Sequence, residues 1–378
     1  MALAALGLGA SLSFVACQLV FPTVASSIAA DASQDGLTDQ EAQAPEASSV
    51  EAGLDGGPCG VVPPPPSQTM ATGGTLSSYA AVQTLAFVEP DAGPLLGYDL
   101  DGVCTCPGPA SCVSATQHCD LAGGRDTSGN QIVALLDNFL QGSAAGTLNA
   151  QIAAGKLGLL FEVVDYNGEA DDQQVGVAVV TSPGIILDAD AGTTQPPRWD
   201  GKDVWNVDTA SVAGSTPSDG GYVYVPLALS TSAYVTSGTL VATLPSLQIA
   251  FGRSLLTLTN AVITAVLHAD SGGYDLQQGQ LAGRISTHEI QAFMATFRDP
   301  FNRSTFLCGS DGTFQGFRGN LCGAADLMHD PSLDNTDAGC DAISIVVGFN
   351  AIAANVGAPY TGKPTVVGCD GSVVECVP

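Results

Sequence analysis

Beyond residue 150 the chain alternates apolar and polar positions in short runs, punctuated by Gly, Pro, Asn and Asp. Alternation with a period of two is the mark of strands that bury one face. The runs at 157–165, 174–180, 221–225, 233–244 and 255–267 carry it best. β-branched residues dominate 233–244, and Gly238 interrupts it as at a bulge or hairpin. Helical spacing is rarer. The segment 132–140 is amphipathic and is expected to continue toward Ile152. Ser286 followed by Glu289 is a capping-box pattern that opens a helix to about Phe297. In 342–354 apolar residues are nearly continuous, and periodicity leaves helix and strand both open. The pattern predicts a mainly β protein, a jelly-roll-like β-sandwich with a few helices and a disulfide-tied C-terminal portion.

The N-terminal pattern is different. Residues 1–30 carry no charge, and Phe14-Val15-Ala16-Cys17 has the form of a lipobox with Cys17 as the acylated residue. Cleavage near Ala25 or Ala30, or retention as a membrane anchor interrupted by Pro22, are the alternatives. From 31 to about 57 the chain is dominated by Ala, Ser, Gln, Gly, Asp and Glu, with neither base nor aromatic. Such a segment cannot bury enough apolar area to offset its ordering entropy, so 31–74 reads as an acidic tether. Pro63 to Pro66 adds a stiff extended spacer before a β-rich domain at 75–378.

Charge narrows the list of partners. The chain has 37 acidic and 10 basic residues, a formal net charge of -27. It would repel phosphate backbones, which excludes nucleic acid, and anionic membranes, so membrane attachment is expected through a lipid only. Cysteine narrows the compartment. Of 11 cysteines, Cys17 sits in the export region and ten remain for the mature domain. Ten cysteines in an exported chain read as five disulfides. Cys104, Cys106, Cys112 and Cys119 form one cluster, Cys308, Cys322 and Cys340 another, and Cys59 would fasten the tether. Cys369 and Cys376 flank Asp370-Gly371-Ser372, which suggests a local bridge across a turn.

The candidate chemistry is sparse. No zinc-protease, nucleophile-elbow, P-loop or Rossmann signature occurs. Calcium needs oxygen ligands from flexible loops, and three Asp runs could supply them. Asp165, Asn167, Asp171 and Asp172 around a Gly turn come first, with Asp99 and Asp101 before Gly102 and Asp330, Asp334, Asp337 and Asp341 behind them. Turn formation is the plainer role for each run. For carbohydrate, Trp199, Asp200, Asp203 and Trp205 combine both tryptophans with hydrogen-bonding carboxylates, and Tyr222 and Tyr224 lie on one face of a nearby strand. The simpler account makes Trp205 core and Trp199 an edge cap. Glu162, in an otherwise apolar strand, would have a raised pKa suited to a glycosidase acid, though Asp165 has the opposite parity.

The lipobox-like start, the acidic tether and the Cys-tied β-rich domain resemble uncharacterised secreted lipoproteins of Gram-negative, myxobacterial-type bacteria. The segments Gly97-Tyr98-Asp99-Leu100-Asp101-Gly102 with Cys104, Tyr166-Asn167-Gly168 with Asp171-Asp172, and Trp199-Asp200-Gly201 with Asp203-Val204-Trp205 carry the resemblance. It implies a cell-envelope location, at the outer membrane or cell surface, or else secretion. No activity comes with it. The expected function is non-catalytic binding of an envelope or extracellular glycan or a surface protein. A structural envelope protein and a secreted glycoside hydrolase are the alternatives.

Overall fold

Eight long strands carry the alternation round a closed circle. The computed structural model describes residues 60–361, except 69–72, 88–95, 107, 141, 189–192, 220, 252–253, 271–272 and 310, together with residue 376. Cys17, the export region, most of the tether, Cys59 and Cys369 lie outside the described residues. All described residues fall in one unit, Asp55–Pro378.

The circle opens with β1 (Leu76–Phe87), β2 (Gly158–Tyr166) and β3 (Asp172–Ser182). An insertion follows, with β4 (Ile186–Asp188), β5 (Thr193–Thr194), β6 (Val204–Asp208), β7 (Val212–Ser218) and β8 (Gly221–Pro226). The circle resumes with β9 (Ala228–Thr236), β10 (Thr239–Phe251), β11 (Ser254–Asp270), β12 (Gly273–Ser286) and β13 (Ala342–Tyr360). Neighbours pair antiparallel in the order β1-β2-β3-β9-β10-β11-β12-β13, and β13 pairs back onto β1 from Tyr79↔Ala354 to Phe87↔Val347. The sheet is therefore an eight-stranded barrel, which corrects the expected sandwich. Both architectures share short-range alternation. What separates them is the β1–β13 register, a pairing that no local pattern encodes. Register shifts in β1, between β11 and β12, and between β12 and β13 supply the bends that closure needs.

Inside, period-two side chains fill the barrel: Val82, Phe161, Val177, Val235, Leu244, Ile263, Leu281 and Ala351 all belong to one buried cluster. Phe161 and Phe349 stack there at 4.7 Å. Gly279 is required beside them, because a Cβ at that position would lie 2.4 Å from the Phe349 ring. The cluster takes in Ile132 of α1 (Gly129–Leu140), Ile152 of α2 (Ala144–Ala153), Met294 of α3 (Thr287–Met294) and Phe317 of α4 (Gly312–Gly323).

The helices depart from expectation in two places. α1 does not run on to Ile152, because Ser143 caps a separate α2 by accepting from Gly146 N at 3.1 Å. Ser286 caps α3 as expected, but Glu289 turns away and accepts from Thr257 N at 3.2 Å. The ambiguous 342–354 segment is strand, buried on both faces. Its inner side chains join the barrel core, and loops and the insertion cover the outer ones.

Two covers lie on the outside of the barrel. The insertion packs Trp205, Val207, Val212 and Tyr224 on Ala81, Leu160, Val180 and Ala354. β6 extends the sheet by pairing parallel with the end of β13, from Asn355↔Val204 to Tyr360↔Asp208. On β11, β12 and β13 the cover is the Cys-rich loop, where Tyr98, with Leu96 and Leu100, meets Val262, Ala282 and Val346.

Candidate functional site

The Cys-rich loop is held down by polar bonds as well as apolar contact. Arg284 of β12 points outward and is fully buried. It makes two bonds to Asp334, at 2.8 and 2.7 Å, and donates to Met328 O and Leu100 O. One side chain thus joins two loops, the Cys-rich loop and the α4–β13 connection, to the barrel. Asp326, half-buried, accepts from Ser344 N at 3.0 Å and Ser344 Oγ at 2.8 Å. Disulfides reinforce the attachment: Cys106–Cys119 closes the loop on itself, and Cys112–Cys340 joins segments 228 residues apart.

At the rim of this cover, ligand oxygens of Asp99, Asp101 and Asp126 lie within 4.8 Å of one another. Each carboxylate is oriented by a backbone N–H. Asp99 Oδ1 accepts from Gly102 N at 2.6 Å, Asp101 Oδ1 from Val103 N at 2.8 Å, and Asp126 Oδ2 from Leu100 N at 2.6 Å. Gly102 takes a φ of 75°, which lets the chain turn back over Asp99. The other Asp99 oxygen, Oδ2, is solvent-excluded and has no hydrogen-bond partner. Asp126 is only 2% exposed. Burial, followed by the charges of Asp101 and Asp326, pushes its pKa up to about 10. Asp120 accepts from Thr105 N at 2.7 Å, and burial raises its pKa to about 6. Burial raises Asp99 as well. Desolvation and mutual repulsion of neighbouring carboxylates favour uptake of a proton or a cation.

Sequence reasoning named Asp99 and Asp101 but missed Asp120 and Asp126. The signal lay in the cysteines. Asp101 precedes the cluster that runs from Cys104 to Cys119, and Asp120 and Asp126 follow it, so a loop closed on itself brings its two flanks together.

The first-ranked calcium run is corrected. Asp165, Asn167, Asp171 and Asp172 lie around the β2–β3 turn, where both Asp172 oxygens and one oxygen each of Asn167 and Asp171 accept from backbone N–H groups. Asp172, fully buried, accepts from Asn167 N at 2.7 Å and Gln174 N at 3.0 Å. Asp171 Oδ1 accepts from Ser237 N at 3.1 Å, and Asn167 Oδ1 from Glu169 N at 2.8 Å. Asp165 sits at a φ of 59°, a turn conformation. The third run is dispersed too: Asp334 serves Arg284, Asp330 caps Ser332 N, and Asp341 accepts from His329 N.

The proposed glycan surface is also largely internal. Trp205 is fully buried and Tyr224 nearly so, with its hydroxyl donating to Gly357 O at 2.5 Å. Trp199 packs half-buried at 5.8 Å from Trp205, and its backbone N–H donates to Asp203 Oδ2 at 2.7 Å. Asp203 also accepts from Arg198 N, and Asp200 Oδ1 accepts from Lys202 N at 3.1 Å. Tyr222 stacks on Tyr224 at 6.2 Å. These residues build the insertion, because the apolar faces that would stack on sugar are used against the barrel.

Glu162 lies on the outer face of β2, directly opposite Tyr79 of β1. Burial raises its pKa and a hydrogen bond from Tyr79 lowers it; the Tyr79 hydroxyl is itself pushed up by burial and by Glu162. Cys376 pairs with Cys322 at the end of α4, which corrects the expected Cys369–Cys376 bridge; the chain end returns to a helix instead of closing its own turn. Cys104 and Cys308 are also disulfide-bonded.

Two surface clefts measure about 220 and 140 Å³, the first lined by Gln131, Ile132, Ala134, Leu135 and Asn320 and the second by residues of β3, β9 and β10 with Ser211 and Leu227. Both are smaller than the usual ligand pocket of roughly 300–1,000 Å³. No described helix is long and apolar enough to cross a membrane. The disulfides fit an oxidising compartment. No protein-family model, curated protein or solved structure matches the chain.

Proposed function

We propose that this protein is an exported, non-catalytic binding module of the cell envelope, and that calcium at Asp99, Asp101 and Asp126 shapes the loop face with which it binds. The observation that carries this reading is the convergence of the three carboxylates beside the buried, partnerless Asp99 Oδ2. Calcium takes six to eight oxygens, so three carboxylates leave positions for backbone carbonyls, waters or ligand hydroxyls. Carbohydrate is therefore the first ligand class, with the acidic rim in place of the tryptophan surface. A surface protein is the second. Acylation at Cys17 and a tether would hold the domain to the outer membrane.

A structural envelope role without a small ligand is favoured by one observation, the burial of Trp205 and Tyr224. A glycan array with the oxidised full chain separates the readings. Binding in calcium that disappears in EDTA supports the module. A blank array in both conditions favours the structural role.

A further inference from the structure

One surface of the insertion is out of keeping with the rest of the molecule. Val223, Val225, Leu227 and Leu229 are 60%, 59%, 59% and 45% exposed. They alternate with Tyr224, Ala228 and Ser230, which face inward. The period of two runs through β8 and, past a bend at Leu227, through β9, so the four aliphatic side chains all lie on the exposed side of this stretch. Thr216 lies directly opposite Val223 on β7, and Gly214 opposite Val225. Thr231 continues the exposed face beyond Leu229. From Thr209 to Phe251 the only charged residue is Asp219. Isolated exposed aliphatics are ordinary, but an aligned row with a neutral polar rim has the anatomy of an interface.

We propose that this stripe is where two copies of the chain meet face to face, related by a twofold axis. Charge selects the occupant. Two chains of net charge -27 repel across most of their surfaces. The β7–β10 face is the stretch of described chain where a second copy can approach with almost no opposing charge. A cationic partner would be drawn to the acidic loop cover instead. An antiparallel row of side chains is self-complementary under a twofold axis, so Val223 and Val225 of one copy can pack against those of the other. Pairing through the outer edge of β7 is disfavoured, because Pro217 lacks a donor there and a register shift at Val212/Gly214 breaks the ladder. The inference is independent of the calcium reading.

The test is sedimentation equilibrium of the oxidised full chain in EDTA, at 50 and 500 mM NaCl. The expected result is a reversible dimer that tightens at least several-fold in high salt, since screening removes the repulsion and leaves apolar contact. Val225→Asp should weaken it tenfold or more, while Gln277→Asp on exposed β12 should not; unchanged melting curves would show that both variants fold. A monomer at all concentrations, a dimer indifferent to Val225→Asp, or a dimer that salt weakens would each overturn the proposal.

Discussion

The two covers on the barrel solve one problem by opposite means. Each must hold an irregular segment against a sheet face. The insertion does so with apolar mass: Trp205, Val207, Val212 and Tyr224 form a second small core, and Gly158 leaves room for the indole, since a Cβ there would lie 2.8 Å from it. Among the described residues the Cys-rich loop sets little apolar mass against the sheet, Tyr98 with partly buried Leu96 and Leu100, joined by Val61 from before β1. It relies on Arg284, on buried Asp126 and half-buried Asp326, and on disulfides. A cross-link closing a loop as long as that of Cys112–Cys340 removes about 5.4 kcal/mol of unfolded-chain entropy in the simplest model. The apolar cover should therefore be indifferent to cations, and the acidic cover should respond to them.

The largest expected effect breaks the apolar side. Trp205→Ala removes the largest fully buried side chain and should cost roughly 3–5 kcal/mol, read by chemical denaturation. Proteolysis should then begin within 183–227, with the Cys-rich loop still protected. If Trp205→Ala left stability unchanged and removed only glycan binding, Trp205 would be a ligand residue after all.

A smaller effect sharpens the acidic side. Asp126 has an unfolded pKa near 3.8 and a folded one of about 10, and Asp120 rises from 3.8 to about 6. The folded state therefore holds protons that the unfolded state releases. Stability from Asp126 is complete below about pH 4 and is lost progressively up to about pH 10; that from Asp120 is lost by about pH 6. In EDTA the melting temperature should fall as pH rises across this window. Asp126→Asn should flatten the slope, which separates the local effect from the general repulsion of a chain this acidic. Calcium near 100 times its dissociation constant should restore about 2.7 kcal/mol at neutral pH.

How much of this was readable beforehand follows the same division. Local signals succeeded. Gly238 marked the β9–β10 hairpin, whose Ser237 and Gly238 both have positive φ, and Ser286 marked the start of α3. Trp205 was rightly weighed as core. α4 escaped notice because its four glycines between Gly312 and Gly323 mask the spacing of Phe314, Phe317 and Leu321. Long-range features were out of reach. Barrel closure rests on β1 meeting β13, and the carboxylate cluster rests on Asp126 folding back on Asp99. Sequence shows which Asp residues are available, but whether their oxygens face each other or cap backbone N–H groups is decided by the loop's path. That is why the β2–β3 turn looked the richer site, although Asp172, Asn167 and Asp171 accept from backbone N–H groups there.

Calcium titration of the oxidised full chain by calorimetry, beside Asp126→Asn, tests the central claim most directly. The account predicts one saturable site in the wild type, with affinity lower at pH 5 than at pH 7 because protons compete for the same carboxylates, and at least tenfold weaker binding in the variant. Equal heats from both proteins, or none from the wild type at millimolar calcium, would contradict it.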